Sequence, residues 1–211
     1  MLCTLEMLKT YIGISENSHD EELTMLIKMA SSQIENYIGY SLAREENIEE
    51  VHNVNNEQLL LLDNQPIQSV SDVSIGGVTV TDFLLLPKYA KVGMLYRGIG
   101  WCGNYYTRGM TYDPVSGFYE IKISYISGYY LPDDENYVEG AKDSLPYDII
   151  SACMLACAEA WNVRQNKAEG IKSYSEGGIS TTFADTTSMA DCGLSAKVCS
   201  MLIDYKKQAV A

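Results

Sequence analysis

Two incompatible hydrophobic periods share this chain, and their order limits the folds open to it. Near the N-terminus, Leu23, Leu26, Ile27, Ala30, Ile34, Tyr37 and Ile38 recur at helical spacing. Ser18 stands ahead of them as an N-cap. Asp20, Glu21 and Glu22 fall where the helix dipole favours acids, and Gly39 is a stop signal. A shorter helix is expected over Thr4–Tyr11, with Leu5, Leu8 and Ile12 inward. Helical spacing returns after Leu145-Pro146 with Ile149, Ile150, Cys153, Met154, Cys157, Ala160 and Trp161, running to about Lys167. A last helix is expected over Leu194–Lys207. Between these ends the period falls to two. Val51–Val54, Gln58–Leu62, Phe83–Leu86, Met94–Tyr96 and Tyr119–Ile126 have strand character. Two β-branched runs around Gly76-Gly77 predict a hairpin. The chain therefore reads as α+β. A helical body, discontinuous in sequence (1–46 and 141–211), carries an inserted antiparallel β-rich domain (47–140) with a long aperiodic loop at 97–118.

Charge narrows the function. The 211 residues carry 15 bases and 28 acids, a net −13. The imbalance is uneven: residues 1–65 hold 12 acids and 3 bases. Such a surface does not grip phosphate backbones, whose affinity comes from Lys and Arg displacing counterions. Sequence-specific nucleic-acid binding is excluded on that ground. The longest purely aliphatic run, Leu59–Leu62, is far short of the ~20 apolar residues of a membrane span. Glu6 and Lys9 interrupt the place where a secretory signal would be apolar, so none is expected.

The motifs carry little chemistry. Gly98-Ile99-Gly100-Trp101-Cys102-Gly103 matches G-x-G-x-x-G, but no helical pattern follows to aim an N-terminus at a pyrophosphate. Trp101-Cys102-Gly103 superficially resembles the start of a thioredoxin site, yet Tyr105 stands where the partner cysteine belongs. His19 and His52 are the only histidines, and solvated structural roles suit both. Asp133-Asp134-Glu135 lacks the spacing of a calcium loop. Cys153 and Cys157, four apart on a helix, could share a face as metal ligands. No second Cys/His pair with zinc spacing accompanies them, so buried free cysteines and no cofactor are the expectation. Sixteen tyrosines are more telling, because Tyr buries area while keeping a polar tip. Tyr96, Trp101, Tyr105, Tyr106 and Tyr112 around the long loop predict a contact surface. On residues alone, this is a non-catalytic interaction protein.

The order of motifs along nearly the whole chain resembles the head–tail connector (adaptor, head-completion) proteins of tailed double-stranded DNA bacteriophages and prophages. The resemblance begins with Leu5-Glu6-Met7-Leu8-Lys9-Thr10-Tyr11-Ile12 and the helix from Asp20-Glu21-Glu22-Leu23 to Tyr37-Ile38. It continues through Pro66-Ile67-Gln68-Ser69-Val70, similar to a "P-[IV]-x-S-V" hairpin start. Ile123-Ser124-Tyr125-Ile126-Ser127-Gly128-Tyr129 is similar to a "V-x-Y-x-x-G-Y" strand end. Leu145-Pro146-Tyr147-Asp148-Ile149-Ile150-Ser151-Ala152 is similar to an "L-P-x-x-[IL]-x-x-A" helix start. Gly170–Ser175 and Gly177–Ser180 then precede the final helix. No single motif is specific; their order and spacing together are.

The resemblance implies a non-enzymatic virion protein of the neck, assembled in the host cytoplasm. It implies a homo-oligomeric ring, commonly twelve-fold, beneath the portal protein. A tail-side completion or tail terminator protein would be the other neighbour, and DNA would pass without sequence-specific binding or any membrane. Residues 170–186 are Gly/Ser/Thr-rich, with Ile171, Tyr174, Ile179 and Phe183 as the few anchors, and are expected to be an arm that a portal or neighbouring subunit orders. Glu45, Glu46, Glu49 and Glu50 are the expected channel-facing acids. The competing class is a tyrosine-rich host-surface or carbohydrate-binding module, with Trp101, Tyr105, Tyr106 and Tyr112 as its stacking platform.

Overall fold

The computed structural model describes residues 1–55, 57–101, 120–165, 173–176, 179–182 and 193–207. Two units emerge: Met1–Gly39 with Tyr130–Lys207, and Tyr40–Tyr129. The first is built on helices and the second on an antiparallel sheet, which is the α+β arrangement expected from the two periods.

In the helical unit, α1 (Leu5–Ile12) begins where Thr4 Oγ1 accepts the Met7 N–H at 3.2 Å. It ends at Gly13 in the left-handed region. The second helix, α2 (Asp20–Ile38), starts one residue later than expected. Its N-cap is His19 rather than Ser18, with no side-chain capping bond. The three acids of its first turn, and the Lys9 Nζ bond to Asp20 Oδ1 at 2.8 Å, supply the anchoring instead. Gly39 closes α2 at φ 90°.

Residues Tyr147–Gln165 form α4, which packs against α1, α2 and the short α5 (Ala196–Leu202). Ile149, Ile150, Ala152, Cys153, Met154, Cys157, Ala158 and Trp161 of α4 are all buried. Helix α5 is shorter than expected. Ser195 Oγ caps it by accepting the Val198 N–H, and Ile203–Tyr205 tightens into a 3₁₀ turn. Strands β7 (Ser173–Glu176) and β8 (Ile179–Thr182) pair as an antiparallel hairpin.

The second unit holds a sheet in the order β1-β6-β3-β4, made of β1 (Glu45–Asn53), β6 (Glu120–Ser127), β3 (Ile67–Ile75) and β4 (Val78–Thr79). Gly76 and Gly77, at φ 57° and 81°, turn β3 into β4, as the hairpin signal predicts. A smaller ladder pairs β2 (Leu59–Leu61) with β5 (Met94–Tyr96), and the one-turn α3 (Pro87–Ala90) precedes β5. Phe83–Leu86 is not a strand; Leu84 alone makes a bridge, to Tyr96. The core gathers Leu60, Leu62, Ile67, Val73, Leu95, Trp101, Ile121, Ile123 and Tyr125. The inward alternation of β6 is the one its sequence predicts.

Candidate functional site

The acids on β1 sit on a strand, and a strand sends successive side chains to opposite faces. Register places Glu50 opposite Ile123 and His52 opposite Ile121, both core residues, whereas Glu49 lies opposite Ser124. Glu45, Glu46 and Glu49 are exposed. Glu50 is not: its side chain keeps only 10% of its accessible surface. It accepts the Tyr125 hydroxyl in a short hydrogen bond. The Asp63 N–H reaches its two oxygens at 3.0 and 3.2 Å, and His52 Nε2 lies 2.9 Å away. The Asn64 N–H adds a bond to Tyr125 Oη. Glu50 is thus a fastener between the sheet and the turn after β2, not a surface acid. Burial, then the Glu50 carboxylate, pushes the Tyr125 hydroxyl above the usual phenol range.

Trp101 also departs from expectation. It is fully buried rather than presented on a contact loop. Its Nε1–H donates to Leu95 O at 3.3 Å, and its backbone joins Asn55 and Glu57. The Arg97 guanidinium lies 5.8 Å from its ring centroid. Arg97, itself buried, donates to Asp82 from Nε and Nη2 and to Gly100 O from Nη1. The Gly98–Gly103 motif therefore begins as a turn locked around an arginine, with Gly100 N–H bonded to Arg97 O. Tyr96 is half-buried and stacks on Tyr89. Tyr105, Tyr106 and Tyr112 lie outside the described residues. So do Ile171 and Phe183 of the expected arm, while Tyr174 and Ile179 fall on β7 and β8, opposite Thr181 and Glu176.

In the helical unit the polar groups again serve local structure. Asp133 accepts from the N-terminal ammonium at 3.0 Å, and Asp134 Oδ1 accepts the Asn136 N–H at 2.8 Å, so the acidic triplet shapes a turn. His19 meets Trp161 edge-on, with centroids 5.1 Å apart, and lies 3.5 Å from Glu22. One grouping escapes a reading by spacing. Cys3 joins Cys153 and Cys157, with all three thiol sulfurs within 4.8 Å of one another. A separation of 150 residues between Cys3 and Cys153 hides this from any local motif. Cys153 is held below the ordinary thiol range by hydrogen bonds from Cys157 and Cys3, while its two partners are pushed up.

Among the described residues, then, charged groups fasten turns and Trp101 is committed to a core, so these polar and aromatic groups serve structure. Comparison with known families gives the class: the head completion protein family matches residues 1–208, and the chain belongs to that family. It is a virion structural protein, not an enzyme. Among solved structures the likeness is one of fold. A chain in the neck of an empty GTA particle computed with C6 symmetry aligns with TM-score 0.50 at 13% identity. A chain in the virion of a native gene transfer agent (GTA) particle aligns with TM-score 0.53 at 14% identity. Each alignment covers 100% of this chain and 92% of the other. No curated protein matches.

Proposed function

We propose that copies of this chain assemble into a ring in the neck of a tailed phage or phage-like particle. The ring joins the portal to the tail-side proteins and leaves a central conduit for DNA. The observation that carries this reading is the family match over residues 1–208. The fold likeness to a chain in a particle neck computed with C6 symmetry supports it, because a rotationally symmetric neck is built from repeated copies. Twelve copies is the expected number. The β7–β8 hairpin and the residues around it, 170–186, are the arm that a portal or neighbouring subunit orders. Glu45, Glu46 and Glu49 are the acids that keep the conduit from holding DNA; Glu50 is withdrawn from that role by its inward bonds.

Sedimentation and electron microscopy of the full chain, alone and with its cognate portal protein, test the proposal. Closed rings, alone or on the portal, are expected. A chain that stays monomeric with portal present and instead binds glycans on an array overturns the reading in favour of the carbohydrate-binding class. The conduit charge is tested separately, by the ring's structure. A lumen lined mainly by Lys and Arg removes that part while leaving the ring intact.

A further inference from the structure

We propose that Cys3, Cys153 and Cys157 form a metal site that takes one zinc ion. The inference stands apart from the connector reading, since it concerns the interior of one helical unit. The three sulfurs lie within 4.8 Å of one another, and Cys3 Sγ is 3.7 Å from Cys153 Sγ. Zinc–thiolate bonds of about 2.3 Å in a tetrahedral arrangement set sulfurs roughly 3.8 Å apart. One pair is already at that spacing, and the others close to it by on the order of 1 Å of side-chain movement.

The chain builds this convergence from three places. Cys153 and Cys157 are four residues apart on α4 and so share one face of it. Cys3 arrives from the segment before α1, which is tied down by the Leu2 N–H bond to Ser31 Oγ at 3.1 Å. Ser31, on α2, brings that same oxygen to 3.9 Å from Cys153 Sγ, a polar group beside the cluster for a fourth position.

The donor set and its surroundings select the ion class. Soft sulfur ligands favour zinc and other thiophilic metals over magnesium or calcium, which need several oxygens. All three cysteines are buried, with at most 1% exposure. A thiolate in an apolar interior is costly unless a cation meets it. Binding releases up to three thiol protons to solvent and leaves a zinc–trithiolate centre of charge −1.

The experiment uses the full-length chain, reduced and stripped with a chelator, then titrated with cobalt(II) and back-titrated with zinc. One equivalent of cobalt should bind with thiolate-to-metal charge-transfer absorption at an intensity for three sulfurs, and zinc should displace it. Cys157→Ser should weaken cobalt binding at least about 100-fold, beyond the 10–100-fold typical of groups outside the ligand set. Cys199→Ser, which alters a thiol outside the cluster, should leave it unchanged. Absence of the charge-transfer band while all six thiols titrate as reduced overturns the proposal. So does cobalt binding that survives Cys157→Ser, or a Cys3–Cys153 disulfide in freshly purified, metal-free protein. Should Cys157→Ser fail to fold, the band intensity per equivalent in the unaltered chain decides alone.

Discussion

Replacing Gly128 by alanine tests whether the close of β6 depends on backbone contact that only glycine allows. Gly128 has φ 84°, and a Cβ there would lie 2.3 Å from Ala43 O and 2.7 Å from Ala43 C. An L-residue in the left-handed region costs roughly 1–2 kcal/mol by itself. The remaining overlap can be relieved only by backbone movement of about 1 Å, given ordinary carbon contacts of about 3.5–4.0 Å. That movement strains the bonds from Arg44 N–H to Tyr129 O and from Tyr129 N–H to Leu42 O, both 2.9 Å. At a net 0.5–1.5 kcal/mol or so each, losing them adds about 1–3 kcal/mol. The sum, about 2–5 kcal/mol, is a large share of the ~5–15 kcal/mol that holds a typical domain. Gly77 is the matched control. Its φ is 81°, but nothing lies within 4 Å of a built Cβ, so Gly77→Ala carries only the conformational part. The chain has two tryptophans, and Trp101 is in the same unit as both glycines while Trp161 is in the other. In a Trp161→Phe background, Trp101 fluorescence during urea unfolding reports this unit. Gly128→Ala should cost about 1–3 kcal/mol more than Gly77→Ala. If the two agree within about 0.5 kcal/mol, the scatter of ordinary surface changes, the contact argument is wrong.

Two further outcomes are expected. The folded-state pKa of Tyr125 is raised above its unfolded value, so its stabilising effect is complete below about pH 10 and is lost as pH rises through the folded pKa. Tyr125→Phe should flatten that alkaline decline in denaturant midpoints between about pH 9 and 12, with Tyr137 and Tyr205 supplying the residue, since burial raises both. It should also cost about 1–2 kcal/mol at neutral pH by depriving Glu50 of a donor, and an unchanged alkaline slope would refute the assignment. For the arm, amides in 170–186 should exchange rapidly in the isolated chain and become protected in assembled particles; strong protection in the isolated chain contradicts partner-dependent ordering.

The helical ends were legible because several signals agreed. A 3.6-residue stripe, acids in a first turn, Gly39 at a C-terminus and Pro146 ahead of α4 all point the same way. Ser18 is the residue that propensity favours as the cap, yet His19 occupies that position, because propensity identifies a good capping residue without saying whether the chain approaches at the right angle. Strand β1 begins well before Val51, since Glu45–Glu50 carry the polar residues of an edge strand and show only Ile48 as an apolar marker. Trp101 looked like a loop aromatic because its neighbours are glycines. Its burial comes from backbone bonds to Asn55 and Glu57, more than 40 residues earlier. Cys3 illustrates the same limit: i,i+4 spacing displays Cys153 and Cys157 together, but convergence across the chain leaves no spacing to read.

The acidic bias needs the same translation from line to surface before it bears on a conduit. Counting along the chain groups Glu45, Glu46, Glu49 and Glu50, but the pleat separates Glu49 from Glu50. Register then gives Glu49 other company. Glu49 and Asp72 both lie opposite Ser124 of β6, one on each side, while Glu120 and Lys122 follow along β6 on the same exposed face. With strands about 4.8 Å apart, Glu49 and Asp72 sit roughly 10 Å from each other, near one Debye length of roughly 8 Å at physiological salt, and act as a pair, while Glu120, four residues further along β6, lies more than about 13 Å from both and is paired with Lys122. Three acids against Lys122 make that face negative. The repulsive surface proposed for DNA passage is therefore a sheet face drawn from β1, β6 and β3. Reversing Asp72 should alter it as much as reversing Glu49, although Asp72 does not belong to the acidic run.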